Sequence, residues 1–208
     1  MVQLVSSVAG DQAQADFRQL RHHTKNALDQ IMAQVTTGLS HSVRSEAVAA
    51  DIERRIMLTA QIADALFGFT KAPGPFEQRL STLCEGVVAL IGEGDQYLTL
   101  TCTVQGDVPV TLQETVLRIA HEFVGNAVKH GMPMRLIGRI AVEVVVDAGI
   151  TVLEVIDDGW GCCCRPPLGE GMGVAGALAA AKGGRIDLER RRDRTVARLE
   201  LPVVRHDA

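Results

Sequence analysis

Four polar side chains lie along one predicted helix at positions that bring them to the same side. At about 100° per residue they fall within roughly a quarter turn of the helix surface: Glu122, Asn126, Lys129 and His130. An amide or carboxylate oxygen suits Mg²⁺, which keeps most of its waters and bridges phosphates. A carboxylate can also polarise an attacking group, and cations offset phosphate charge. A plain amphipathic surface helix would explain the positions alone, but this combination of groups favours a magnesium–nucleotide site.

Residues 157–161, Asp-Asp-Gly-Trp-Gly, come directly after an apolar predicted strand. Gly159 and Gly161 permit a tight turn and a close approach of the backbone to a ligand. Asp157, at the end of the strand, could accept a hydrogen bond from an exocyclic amine. By itself the pattern is also that of an ordinary turn, because Asp and Gly are common in turns.

A second glycine-rich segment, residues 169–173, runs into a predicted helix and contains Gly169, Gly171 and Gly173. Glycines at a helix N-terminus expose several N–H groups and the positive end of the helix dipole, which favours a phosphate. The spacing fits neither the dinucleotide-binding fingerprint nor the P-loop with its Lys-Ser/Thr ending. A flexible linker would explain this segment if it stood alone.

Two predicted helices precede these segments. The first carries apolar residues at helical spacing: Phe17, Leu20, Ala27, Ile31 and Val35. Gly38 ends it, and Ser40 or Ser42 can cap the second helix, whose apolar residues are Val48, Ile52, Ile56, Ala63 and Leu66. A helical hairpin of this kind exposes a broad apolar face, so we expect two copies to form a four-helix bundle. The sequence therefore predicts a homodimer.

The Pro-Gly-Pro stretch at residues 73–75 predicts a boundary between a helical hairpin, residues 1–72, and a second domain, residues 73–208. Patterns in the second domain predict, in order, a helix (76–91), a strand (97–104), a long helix (112–130), two strands (139–146 and 150–156), a short helix (174–181) and a terminal hairpin (185–201). Because strands and helices mix without a regular βαβ repeat, we expect an α+β sandwich with the helices on one face of the sheet.

The bulk composition narrows the function classes. A formal net charge of −4 argues against nucleic-acid binding, and the basic run at residues 190–194 is interpreted as the solvated tip of the terminal hairpin. No apolar stretch approaches the about 20 residues of a membrane span. The five cysteines, three of them consecutive from Cys162 to Cys164, form neither a disulfide framework nor a zinc pattern. We expect a cytoplasmic protein with reduced thiols and no membrane span.

Taken together, the three motifs resemble in order and spacing the Bergerat-fold ATP-binding domain shared by histidine kinases, gyrase and Hsp90-type ATPases. Residues 121–131 resemble its asparagine box, and residues 157–161 and 169–173 resemble its two glycine boxes. The resemblance covers about residues 76–202. It implies that the domain binds ATP and Mg²⁺, with Asn126 as the metal ligand and Asp157 at the adenine. The other nucleotide-binding residues that it implies are Lys129, His130, Gly159, Gly161, Gly169, Gly171 and Gly173.

Residues 21–26, Arg-His-His-Thr-Lys-Asn, resemble the His-x-x-Lys-Asn phosphoacceptor box of a histidine kinase subfamily related to the HWE type. This implies that His22 is the phosphorylated nucleophile, with Glu122 assisting its attack. Asn26, one turn along the same helix face, would orient the phosphoryl group or a water. A neutral imidazole is available near neutral pH and attacks phosphorus directly. Many members carry Arg where His23 stands, so His23 is the alternative acceptor.

The resemblance implies a two-component histidine kinase that autophosphorylates His22 from ATP and passes the phosphoryl group to an aspartate of a response regulator receiver domain. A separate sensory protein would then supply its input. One alternative is a histidine phosphotransfer protein, in which the ATP-binding domain is degenerate and His22 relays phosphate between receiver domains. The short lid between the glycine boxes, residues 162–168, favours that alternative. A third option is a non-catalytic module that sequesters a regulator.

Overall fold

The computed structural model describes residues 45–68, 74–93, 95–160 and 170–203. The chain divides into two compact units, Met1–Ala63 and Asp64–Ala208. Predictions for the first helix with His22 and Asn26, for Gly161, for Gly169 and for the three consecutive cysteines lie outside the described residues. The predicted domain boundary after residue 72 stays a prediction.

Helix α1 spans Ser45–Phe67 and matches the second predicted helix. Its polar side carries ion pairs one turn apart: Asp51 contacts Arg54 at 3.3 Å and Arg55 at 3.1 Å. Such pairs add only a few tenths of a kcal/mol each. The side chain of Ile56, one of the predicted apolar positions, is 53% exposed. No helix in the described ranges is long and apolar enough to cross a membrane.

The second unit contains a mixed sheet of five strands in the order β1-β2-β3-β5-β4. The strands are β1 Tyr97–Gln105, β2 Ile137–Asp147, β3 Ile150–Asp157, β4 Arg185–Arg191 and β5 Arg194–Pro202. β1 runs parallel to β2, and the other neighbours pair antiparallel. Helices α2 (Phe76–Ile91), α3 (Val110–Asn126) and α4 (Glu170–Ala181) pack on one face. The predicted α+β class is confirmed.

Alternation along the central strands decides which face carries the helices. In β3 every second residue is buried, from Thr151 to Asp157, and the residues between them are only partly buried. Register pairs Leu153 with Val144 on one side and with Leu199 on the other, and all three are fully buried. A row of this kind is the unit from which a half-buried sheet gains stability. The core therefore lies between this face and the helices.

The predicted element boundaries lie within two residues of those in the structure, except at the ends of two helices. The helix predicted over residues 112–130 is α-helical only from Val110 to Asn126, and a π-helical turn, Ala127–Gly131, follows it. The periodicity of residues 127–130 alone could not show this, because the wider turn depends on contacts with another segment. The helix predicted from Val174 begins earlier, at Glu170.

The hydroxyl of Thr151 provides a test of the core. Thr151 is fully buried in β3, and its Oγ1 has no hydrogen-bond partner among the described residues. Because a buried unpaired polar group is destabilising, Thr151→Val should raise the free energy of unfolding by about 1 kcal/mol in a denaturant titration. Thr103→Val, at an exposed position of β1, is the matched control and should change stability by less than about 0.5 kcal/mol. A loss of stability in Thr151→Val would contradict this interpretation.

Candidate functional site

The polar side of α3, which carries Glu122 and Asn126, lies at the protein surface and not on the side of the core. Val116 and Ile119 are fully buried and Phe123 is 1% exposed, as their helical spacing predicts. On the polar side, the Glu122 side chain is 16% exposed and Asn126 is partly buried. Helix α3 thus presents a carboxylate and an amide, one turn apart, on a surface that a ligand can reach.

The helix changes to a π turn directly after Asn126. The turn, Ala127–Gly131, places Lys129 and His130 in exposed positions, while Gly131 is buried. Single π turns inside helices are rare and are frequent at functional sites. Here the wider turn brings the Gly131 carbonyl oxygen to the Trp160 backbone N–H, which donates to it at 2.9 Å. The end of the asparagine box is therefore bonded to the first glycine box.

The two boxes meet backbone to backbone. A methyl group on Gly159 would come within 2.5 Å of the Gly131 carbonyl carbon and 2.6 Å of its Cα, and closer still to its oxygen. A methyl group on Gly131 would in turn lie 2.7 Å from an oxygen of the Asp157 carboxylate. Real Cβ atoms do not approach other atoms so closely. Glycine is therefore required at both positions for this packing.

Asp157 is the last residue of β3, and its side chain is 5% exposed. Its Oδ1 accepts a hydrogen bond from the Gly159 N–H at 2.9 Å. Burial raises the pKa of Asp157 above its ordinary value, and the neighbouring charge of Asp158 adds to the rise. The Gly159 N–H, the Arg190 guanidinium and the Thr195 hydroxyl oppose the rise without cancelling it. The result is a nearly buried carboxyl held beside the glycine turn.

Asp158, next in the chain, has a structural role instead. Its Oδ1 accepts a hydrogen bond from the Arg139 backbone N–H at 2.8 Å, and its carbonyl oxygen accepts one from the Arg135 guanidinium. The indole N–H of Trp160 donates to the Pro133 carbonyl oxygen at 3.1 Å. These bonds fix the turn that follows β3 from its outer side. The two adjacent aspartates therefore differ: Asp158 holds the turn, and Asp157 is nearly buried beside Gly159.

The second glycine box lies beside Glu122, at the other end of the polar side of α3 from the π turn. A methyl group on Gly171, in the first turn of α4, would lie 3.0 Å from the Glu122 carboxyl carbon and would overlap one of its oxygens. Around Gly173 the same construction meets nothing within 4 Å. His121 Nδ1 lies 3.4 Å from the other Glu122 oxygen. The start of α4 therefore lies against Glu122, with open space around Gly173 two residues further along.

The structure thus brings together residues from all three predicted motifs: Glu122, Asn126, Asp157, Gly159 and Gly171 on or beside α3, with Lys129 and His130 exposed at its end. Gly173 lies on the same helix as Gly171 but beside open space. Sequence reasoning did not single out Thr195, which is the register partner of Asp157. Only the pairing of two strands distant in sequence could have revealed it.

The donor set fits a magnesium nucleotide better than a protein-held metal. The described residues contain no group of three or more His, Cys, Asp or Glu side chains that could hold a metal ion. The oxygens near one another on α3 are the Asn126 amide and the Glu122 carboxylate. Mg²⁺ is commonly held by one or two protein oxygens, with waters and substrate phosphates completing its shell. Gly159 and Gly171 have no room for a side chain because Gly131 and Glu122 occupy that space.

Solved structures with the same architecture come from histidine kinases. The histidine kinase domain of the Erythrobacter litoralis EL346 blue-light activated kinase matches with a TM-score of 0.55 and 18% identity, over 89% of this chain and 91% of that one. The described part of the chain has the fold of a histidine kinase catalytic core. The chain spans 60% of the longer EL346 structure.

Two further structures share this fold. Acinetobacter baumannii histidine kinase AdeS matches with a TM-score of 0.51 and 10% identity, over 88% of this chain and 98% of that one. A protein described as a bacterial phosphotransferase matches with a TM-score of 0.57 and 13% identity, over 86% and 91%. No protein-family model matches the sequence, and no curated protein matches it. The fold expected from the motif resemblance is confirmed.

The contact between Gly159 and Gly131 can be tested by adding one methyl group. Gly159→Ala should separate the end of β3 from the π turn, lowering the free energy of unfolding by about 1–3 kcal/mol through overpacking. Gly173→Ala is the matched control, because nothing lies within 4 Å of the added methyl and alanine favours the helix. Its stability should stay equal or rise. Equal thermal stability of the two variants would contradict the packing described here.

Proposed function

We propose that this chain is a two-component protein histidine kinase that binds Mg-ATP, autophosphorylates His22 and transfers the phosphoryl group to an aspartate of a response regulator receiver domain. The observation that carries the proposal is the meeting of the three motifs: Gly159 packs on Gly131, and Gly171 packs on Glu122. Both contacts lie along one helix whose polar side is accessible. The shared fold of histidine kinases supports the same assignment.

The nucleotide would lie across these contacts. Ionised Asp157 accepts a hydrogen bond from the exocyclic amine of adenine, and Gly159 and Gly161 let the backbone approach the base. The backbone N–H groups of Gly171 and Gly173, in the first turn of α4, would receive the phosphates together with that of Gly169, because a helix N-terminus favours anions. Lys129 adds positive charge on the exposed end of the π turn, and His130 beside it offers an imidazole N–H as a hydrogen-bond donor.

Asn126 is the residue that would hold Mg²⁺ through its amide oxygen. The ion, when bound, neutralises charge that develops on the phosphates. The partly buried Asn126 lies one turn from Glu122, so the metal and the general base are held by one rigid element. Positioning of this kind and charge neutralisation provide most of the catalysis in phosphoryl transfer.

The chemical step is an attack by an imidazole nitrogen of His22 on the γ-phosphorus. The new P–N bond forms as the bond to the β,γ-bridging oxygen breaks, and ADP leaves. Glu122 takes up the proton from the other imidazole nitrogen as positive charge develops there. Asn26, four residues from His22, would orient the phosphoryl group for transfer. We propose that the hairpin bearing these residues is paired in a homodimer, and that a separate sensory protein supplies the input.

A histidine phosphotransfer protein is the second candidate. The short segment between the two glycine boxes, residues 162–168, favours it. In that case His22 would accept a phosphoryl group from one receiver aspartate and pass it to another, and ATP would not bind. The relay needs His22 but neither Asn126 nor Glu122, so variants at these positions separate the two functions.

Incubation of the full chain with γ-labelled ATP and Mg²⁺ should label the protein. Label should be absent in His22→Ala and present in His23→Ala. Asn126→Ala should abolish both labelling and Mg-ATP binding by calorimetry, since it removes the metal ligand. Label that persists in His22→Ala but vanishes in His23→Ala would show that the acceptor is His23. Absence of ATP binding, with label accepted from a phosphorylated receiver domain, would establish the relay.

The role of Glu122 is tested by Glu122→Gln, which keeps the size of the side chain beside Gly171. Loss of a general base should lower the rate of autophosphorylation by about 10²–10⁴-fold, while the affinity for ATP changes by less than about threefold. Glu77→Gln, at an exposed position of helix α2, is the matched control and should keep the wild-type rate. A Glu122→Gln rate within a factor of about two of wild type would show that Glu122 is not the base.

A further inference from the structure

Arg190 lies in one line with Thr195 and Asp157 across three strands. Arg190 of β4 is the register partner of Thr195 in β5, which is in turn the partner of Asp157 in β3. Cross-strand partners project from the same face of a sheet. Because Asp157 belongs to the buried, helix-bearing face, the line assigns Arg190 to that face as well. It lies at the end of the sheet where the nucleotide is proposed to bind.

The neighbouring arginines serve a different surface. Arg191 projects from the opposite face, where its guanidinium lies 3.6 Å from the Glu154 carboxylate and also contacts Glu189. Arg192 occupies the turn between β4 and β5. Arg190 alone in this run is aligned with Asp157, so its position is not explained by a generally basic hairpin tip.

Arg190 also bonds to the first glycine box. Its Nη1 donates a hydrogen bond to the Trp160 carbonyl oxygen at 2.5 Å. The backbone N–H of Trp160 donates to the Gly131 carbonyl oxygen, and the Trp160 indole N–H donates to the Pro133 carbonyl oxygen. Trp160 is therefore held from three sides, and Arg190 is the contact that comes from the hairpin. The guanidinium is thereby kept beside the turn that carries Asp157.

The charges around Asp157 explain what this cation can do. Asp158 repels the ionised carboxylate and Arg190 attracts it, and these are the charged groups that act on it. The other neighbours are uncharged: Gly131 from the π turn, Thr195 from β5 and the register partner Ile140 from β2. Arg190 lowers the pKa of Asp157 against the opposing effect of burial.

We propose that Arg190 is a positioning residue for recognition of the nucleobase, acting through Asp157 and the glycine turn. An ionised carboxylate only accepts hydrogen bonds, so it selects the exocyclic amine of adenine. A protonated carboxyl also donates, and it can bond the carbonyl oxygen that guanine has at the same position. Arg190 therefore contributes to the preference for adenine over guanine. This inference rests on the proposed function, since it presupposes a nucleotide at Asp157.

The test is calorimetric titration of the full chain with ATP and with GTP from about pH 5 to about pH 8. ATP binding should weaken as the pH falls through the pKa of Asp157. In Arg190→Gln the pH range over which ATP binding weakens should move upward, so that at a fixed acidic pH this variant binds ATP more weakly than wild type does. The ratio of ATP to GTP affinity should fall there too. Arg190→Lys keeps the positive charge and should retain the wild-type pH dependence of ATP binding. Arg192→Gln is the matched control and should behave as wild type.

Three results would overturn the inference while ATP binding itself persists. Arg190→Gln could keep the wild-type pH dependence and nucleotide selectivity, or Arg190→Lys and Arg190→Gln could lose ATP affinity equally with no shift in pH dependence. The third result is the same shift in pH dependence in Arg192→Gln. Failure of the wild-type chain to bind ATP at any pH would instead refute the proposed function, and this inference with it. Arg190 is exposed, so a thermal melt of Arg190→Gln should match wild type and exclude misfolding as the cause.

Discussion

The site depends on two backbones that touch where neither residue has a side chain. Gly159, just beyond β3, lies against Gly131, at the end of the π turn, closely enough that one methyl group would separate them. The residues on either side of Gly159 are bonded around that contact. Asp157 is oriented by the Gly159 N–H, and Trp160 is bonded to the Gly131 carbonyl oxygen. The atoms that pack these two segments together therefore also fix the positions of Asp157 and Trp160.

Much of this arrangement follows from local sequence patterns. The predicted bounds of α2 are those observed, because its apolar residues recur at helical spacing between Pro75 and Gly92. The core side of α3 was predicted for the same reason. The π turn was not, because residues 127–130 have helical periodicity and the wider turn arises from bonds to a segment about thirty residues away. Local spacing carries no information on such a contact.

Strand register is the second property that local sequence patterns do not reveal. The run of arginines near the C-terminus was correctly predicted to lie at a hairpin tip, but a run of like residues suggests one shared role. Successive side chains of a strand project from opposite faces of the sheet, and this separates the arginines. Arg190 aligns with Asp157, and Arg191 lies with Glu154 and Arg198 on the opposite face. The division depends on the two-residue turn, in which Arg192 has a φ of 58°. Which arginine faces which surface is thus set by the turn geometry.

The π turn has a consequence for how this chain compares with its relatives in fold. A π turn holds one residue more than an α turn over about the same rise, so it absorbs an insertion without rotating the helix that precedes it. Val116 to Phe123 would keep their packing if a relative had one residue fewer after Asn126. Lys129 and His130, in contrast, would swing to new directions. An alignment with a relative that lacks the π turn would therefore need a one-residue gap between Asn126 and Lys129, and equal spacing along the two sequences would not mean equal position.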